Sequence, residues 1–155
     1  MTIRGYCLFE GYYKDPTKNA EALDAEGFLH TGDLCSLTDD GRICYHGRIK
    51  DMLKVGGENV AALEIEAFLN AHPAVELAQV VGVPDAHLLE VAAAFVQLHQ
   101  GAEASEKQLI EYCRGQIATF KIPRYVRFVM EWPMSATKIQ KFALRDQLVR
   151  ELGLD

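Results

Sequence analysis

The sequence has no cysteine pair at CxxC spacing, no histidine cluster, no basic stripe and no long apolar run. Each absence removes a class of function. The four cysteines (Cys7, Cys35, Cys44 and Cys113) are widely separated, which argues against a zinc site and for a reduced, cytoplasmic protein. The histidines form neither a Ser-His-Asp nor an HxxxH arrangement, so neither a triad nor a metal site is expected. The 16 basic and 22 acidic residues are mixed along the chain and leave a net charge of −6. A nucleic-acid surface needs the opposite balance. The longest apolar run, Val91 to Val96, is strand-sized, well short of the ~18 residues of a membrane span. Met1-Thr2-Ile3-Arg4-Gly5 lacks the apolar stretch of a signal peptide.

What is present is enough apolar material for one domain or one and a half, 49% of 155 residues. Its texture changes near residue 49. Residues 1–49 hold short β-like pieces at Tyr6 to Phe9, Phe28 to His30, Leu34 to Leu37 and Ile43 to His46. Asp39-Asp40-Gly41 signals a hairpin turn, and Asp15-Pro16-Thr17 signals a helix ending near Leu23. The apolar positions here are too few for an independent core. From residue 50 to 155 the pattern is self-contained. Ile49 to Val55 pairs with Glu58 to Val60 across Gly56-Gly57, and Ala62 to Asn70 reads as a helix with Leu63, Ile65, Ala67, Phe68 and Leu69 on a broad apolar face. Leu77 to Val83 and Glu90 to Leu98 read as central strands. Ser105 to Gln108 reads as a capping box opening a helix, Tyr125 to Met130 as a strand and Phe142 to Leu152 as a closing helix. The order β-β-α-β-β-α-β-α predicts an α+β domain, a small three-stranded sheet with packed helices.

Three short segments carry candidate chemistry. In Thr31-Gly32-Asp33, an aspartate between two strands commonly caps backbone N–H groups; its carboxylate can also accept both hydroxyls of a ribose. In Gly47-Arg48-Ile49-Lys50-Asp51, Arg48 offers a planar fork for phosphate or ribose oxygens, and an ordinary Arg–Asp surface pair is the plainer reading. Gly56-Gly57 either makes a turn or lets backbone approach a ligand. After Pro133-Met134-Ser135-Ala136-Thr137, Lys138 can neutralise charge developing on a phosphate or carboxylate, or can simply be solvated. Lys141 reads as a helix-surface charge, with a phosphate contact as the alternative. Cys113 reads as core rather than nucleophile.

Taken in order, these segments resemble the C-terminal part of the AMP-forming, adenylate-forming superfamily, and within it the medium- or long-chain acyl-CoA synthetases. The likeness runs from Gly11-Tyr12-Tyr13 through Phe28-Leu29-His30-Thr31-Gly32-Asp33 and Lys121-Ile122-Pro123-Arg124 to Phe142-Ala143-Leu144-Arg145. The resemblance implies that residues 1–49 are a β-rich remnant of a large N-terminal domain and that 50–155 are its mobile C-terminal lid. It implies that Asp33 binds the ribose hydroxyls of ATP or acyl-AMP and that Arg48 contacts the nucleotide. It makes Lys50 the hinge, Gly57 part of the CoA tunnel and Lys138 the catalytic lysine of adenylation.

The activity implied is that of an acid–thiol ligase, a carboxylate passing through an acyl-adenylate to acyl-CoA. ATP, Mg2+ and CoA are substrates of the complete enzyme, and this chain alone is expected to hold none of them tightly and to be inactive. The partner implied is the missing N-terminal domain. Unpaired strand edges near the start offer a route to a dimer. A stand-alone regulatory or partner-binding module and another adenylate-forming ligase are the alternatives. The sequence departs from the family pattern at two places. Thr137 stands where a glycine usually precedes the adenylating lysine, in an interval one residue short, and Asn59 stands where some members carry arginine.

Overall fold

The computed structural model describes residues 1–154 and divides into two units, Met1–Lys50 and Asp51–Asp155. In the first unit, β1 (Thr2–Ile3) pairs antiparallel with β2 (Leu29–His30). Helix α1 (Pro16–Ala22) begins as its sequence dictates, with Pro16 in the first turn and the Lys18 N–H donating to Asp15 Oδ1 at 2.9 Å. Strands β3 (Asp33–Leu37) and β4 (Ile43–Arg48) form a hairpin whose turn places Gly41 at φ 81°. Tyr6 to Phe9 is not a strand. The Leu8 N–H donates to Gly5 O in a local turn, which leaves no ladder for those residues. The buried hydrophobic core contains no residue of this unit, and Tyr6, Tyr13, Leu37, Ile43 and Tyr45 are exposed.

The second unit follows the expected order: β5 (Met52–Val55), β6 (Glu58–Ala61), α2 (Ala62–Asn70), β7 (Val75–Asp85), β8 (Leu89–Leu98), α3 (Glu106–Cys113), β9 (Tyr125–Phe128) and α4 (Lys141–Leu152). Ile49–Asp51 is a single 3-10 turn instead of the first part of β5. The three-stranded sheet is present as β7, β8 and β9, and the β5–β6 hairpin widens it to five strands. One edge of β8 is filled along its length by antiparallel β7. Its other edge is shared between β5, joined at Val55↔Leu89, and β9, parallel from Ala93↔Tyr125. Strand β8 is therefore central on every side, and no residue from Val91 to Val96 is more than 4% exposed. That burial explains its unbroken apolar run.

Alternation in the strands builds two cores. Ala78, Val80, Ala92, Ala94 and Val96 pack in one cluster with Ile65 and Leu69 of α2 and with Leu109 and Cys113 of α3. Val81, Val83, Val91, Ala93 and Phe95 pack in the other with Leu144, Leu148 and Val149 of α4. The capping box opening α3 is complete: the Gln108 N–H donates to Ser105 Oγ and the Ser105 N–H to Gln108 Oε1.

The buried stripe of α2 differs from the expected one. It consists of Ala62, Ile65, Glu66 and Leu69, while Leu63 and Ala67 are exposed. The outward-facing backbone of β7 is met by side chains. Asn70 Oδ1 accepts the Ala78 N–H at 2.7 Å, Glu66 Oε1 accepts the Val80 N–H at 2.7 Å, and Arg145 Nε donates to Gly82 O at 3.1 Å.

Candidate functional site

Gly32, at φ 73°, turns the chain into β3, and the Ile49 N–H donates to Gly32 O at 2.9 Å. Asp33 and Arg48 are thereby register partners at the open end of the β3–β4 hairpin. Arg48 Nε lies 3.1 Å from Asp33 Oδ1; the carboxylate is 17% exposed and the guanidinium side chain 46%. The Asp33 side chain accepts no backbone N–H, so it does not act as a turn cap; the Thr31 hydroxyl instead takes the Asp33 N–H at 3.1 Å. A half-screened ion pair of this kind adds little stability. It does orient the carboxylate, with Oδ2 outside the pair, which suits acceptance from vicinal hydroxyls.

Lys50 is exposed in the 3-10 turn and is the last residue of the first unit. Gly56 and Gly57 both have positive φ, 59° and 92°, as a two-residue hairpin turn between right-twisted strands requires. A Cβ at Gly57 would meet no atom within 4 Å, whereas one at Gly56 would press on Leu88 at 3.1 Å. Gly57 is thus set by backbone conformation and fronts open space.

Lys138 sits on a closed hairpin and not on an open loop. The Ser135 N–H donates to Lys138 O at 2.8 Å, and the Gln140 N–H to Pro133 O at 2.8 Å. The Ser135 hydroxyl adds a bond to Lys138 O at 3.1 Å. No residue from Pro133 to Gln140 has positive φ, so this turn needs no glycine before its lysine. Lys138 is exposed, and its ammonium makes no ion pair or hydrogen bond among the described residues.

Sequence reasoning missed what holds this hairpin. Trp132 Nε1 donates to Gln97 Oε1 at 2.5 Å on one side, and Lys141 Nζ lies 2.6 Å from Glu66 Oε1 on the other. Lys141 is therefore paired with a buried carboxylate and is not a free surface charge. The signal was available, because Glu66 falls on the i, i+3, i+4, i+7 stripe that starts at Ala62. Of the five expected site residues, Asp33 and Arg48 are in direct contact; Gly57 and Lys138 lie on separate elements of the second unit.

Cys113 is fully buried, and burial pushes its thiol up to about 11, in keeping with a core side chain. Among the described residues, no three His, Cys, Asp or Glu side chains gather into a metal-holding group, and no helix is long and apolar enough to cross a membrane.

Residues 64–138 match the family model described as the AMP-binding enzyme C-terminal domain. YngI of Bacillus subtilis (strain 168), whose name places it with the acyl-CoA synthetases, is 49% identical over 99% of this chain and 28% of its own length. The mitochondrial medium-chain acyl-CoA ligase ACSF2 of Macaca fascicularis is 42% identical, over 99% of this chain and 25% of its own. Among solved structures, the anthranilate CoA ligase AuaEII in complex with anthranoyl-AMP superposes with a TM-score of 0.87 at 35% identity, covering 99% of this chain and 30% of that one. The chain thus spans about a quarter to a third of the length of the proteins it matches. From its fold, its ordered segments and these likenesses, residues 64–138 carry the AMP-binding enzyme C-terminal domain, and the chain as a whole is similar to the C-terminal part of the adenylate-forming enzymes.

Proposed function

We propose that this chain is the C-terminal fragment of an AMP-forming acyl-CoA synthetase for medium- or long-chain fatty acids, residues 1–49 being the last strands of its large domain and 50–155 its mobile lid. It works within a longer polypeptide and turns over nothing alone. In this reading, a carboxylate oxygen attacks the α-phosphorus of ATP, the bond to the β-phosphate breaks, and pyrophosphate leaves with Mg2+. The CoA thiol, losing its proton, then attacks the acyl carbon and AMP departs. Asp33 holds the ribose, Arg48 orients Asp33 and contacts the nucleotide, and Lys138 neutralises charge developing on the phosphate. Lys50 is the hinge, and Gly57 lines the pantetheine path. Rotation of a lid between the steps lets one centre present different groups while excluding water. The medium-chain assignment of the ACSF2 relative favours that chain-length class. Cytoplasmic residence belongs to the same reading, supported by four free thiols.

The observation that carries the reading is Lys138: a lysine held at a hydrogen-bonded turn with its ammonium free. A lysine whose charge is not spent on a neighbour is available to an incoming phosphate. The test is acid-dependent pyrophosphate release by the complete enzyme. K138A should abolish it, and the purified 155-residue chain should form no acyl-CoA from acid, ATP and CoA. Turnover by the isolated chain would overturn the assignment.

The exposed Tyr6, Tyr13, Leu37, Ile43 and Tyr45 also suit a second reading, a module that docks on a separate partner. Mass spectrometry of the native protein separates the two. Peptides continuing upstream of Met1 support the lid, and a native start at Met1 supports the module.

A further inference from the structure

The Glu66–Lys141 pair joins three elements, α2, β7 and α4, at one carboxylate. Glu66 projects from α2, is 5% exposed, and through one oxygen accepts the Val80 N–H of β7 at 2.7 Å and the Lys141 ammonium at 2.6 Å. Lys141 is the first residue of α4 and directly follows Gln140, which closes the Lys138 hairpin onto Pro133. A lysine is electrostatically unfavourable in the first turn of a helix, where the macrodipole is positive. A charge taken out of water is tolerated only when paired. Both difficulties are answered by Glu66, and among the described residues by no other carboxylate in ion-pair range of Lys141.

We propose that Glu66 and Lys141 are positioning residues for adenylation: the pair fixes the root of the hairpin so that the Lys138 ammonium is presented at one place. Two residues, Ile139 and Gln140, separate Lys138 from the anchor, and Trp132–Gln97 holds the opposite root. With both roots tied, the turn has little freedom to swing. This explains how a turn with no glycine can still present its lysine in a defined way. The inference rests on the role given to Lys138 above, so its test must separate the two.

The informative variant is the double change E66Q/K141M. The glutamine keeps an oxygen for the Val80 N–H, and the methionine leaves no buried charge unpaired, so the fold is retained while the tie is cut. In the complete enzyme, acid-dependent pyrophosphate release should fall at least ~10-fold in kcat with KM for ATP little changed, since ~1 Å of misplacement can cost ~10²-fold. Acyl transfer to CoA from a supplied acyl-adenylate should be unaffected. K141R, which retains the charge-assisted bond, should restore most of the lost rate. In the 155-residue chain, amide exchange at Ser135 and Gln140 should accelerate while that of Val91 to Val96 stays slow. Equal loss in both half-reactions, or unchanged pyrophosphate release per folded molecule, overturns the positioning role. K138A is the control. If it spares pyrophosphate release, the proposed function falls and the positioning role with it. If it abolishes release while E66Q/K141M does not, only the positioning role falls.

Discussion

Asp33 and Arg48 face each other across the last rung of the β3–β4 hairpin, with Arg48 Nε 3.1 Å from Asp33 Oδ1. Neither side chain is needed to close the hairpin, whose turn lies at its other end around Gly41. D33A should therefore leave folding intact and raise KM for ATP in the complete enzyme. Loss of charge-assisted bonds worth about 1.5–3 kcal/mol corresponds to roughly 10- to 150-fold. R48K keeps the charge but loses the planar fork, and should give a smaller rise. Unchanged KM in D33A would remove Asp33 from the nucleotide site.

Leu89 adopts φ 68°, a conformation that costs a non-glycine residue roughly 1–2 kcal/mol. It does so at the turn where β8 meets both β5 and β7, with 65% of its surface exposed and little packing to lose. L89G should raise the urea midpoint of the chain, by up to ~1 kcal/mol after glycine's entropic penalty. A lower midpoint would show that the leucine side chain contributes more than its backbone costs.

Much of this was legible beforehand, and the reasons differ by element. Val91 to Val96 announced a central strand because burial on both faces demands an unbroken apolar run. Ser105 and Gln108 announced α3 because a capping box is local chemistry. Tyr6 to Phe9 misled, since β-prone residues become a strand only where a partner supplies the ladder. The burial of Glu66 could be read from its helix stripe, but its partners, Val80 and Lys141, could not, being 14 and 75 residues away. The segments around Asp33, Arg48 and Lys138 could be picked out in the sequence; the Asp33–Arg48 contact and the anchoring of the Lys138 turn required the fold.

Cys113 and the exposed cysteines should separate cleanly by alkylation. Cys7 and Cys44 are exposed, whereas the buried Cys113 thiol ionises only near a pKa of about 11. Iodoacetamide at neutral pH should modify the first two rapidly and reach Cys113 only in denaturant. Fast native modification of Cys113 would mean that α3 opens readily.

Asp85 gives the fold a defined pH dependence. Hydrogen bonds from the His87 and Leu88 N–H groups, and then the Arg124 guanidinium, hold its pKa below the ordinary 3.8, against some opposing desolvation. A lowered folded pKa means stability that is present above 3.8 and lost as pH falls through the folded value. D85A should be less stable than the parent at neutral pH, with the gap narrowing in acid. A gap that stays constant down to pH ~2 would contradict this linkage.

Phe95 should be the costliest single truncation of the second core. It is 1% exposed and packs with the α4 cluster, and F95A should lose about 3–5 kcal/mol in denaturant unfolding.

Asn70, Glu66 and Arg145 occupy the outward backbone groups of β7 at Ala78, Val80 and Gly82. A bare strand margin is a template on which foreign chains can register and fibres can grow. Here the sheet stops because three polar side chains already hold the bonds that a recruit would seek. Colloidal good behaviour in this apolar, Val- and Ala-rich sheet is consequently vested in residues that contribute no apolar surface to it, and Asn70 guards that margin free of any tie to the Lys138 hairpin.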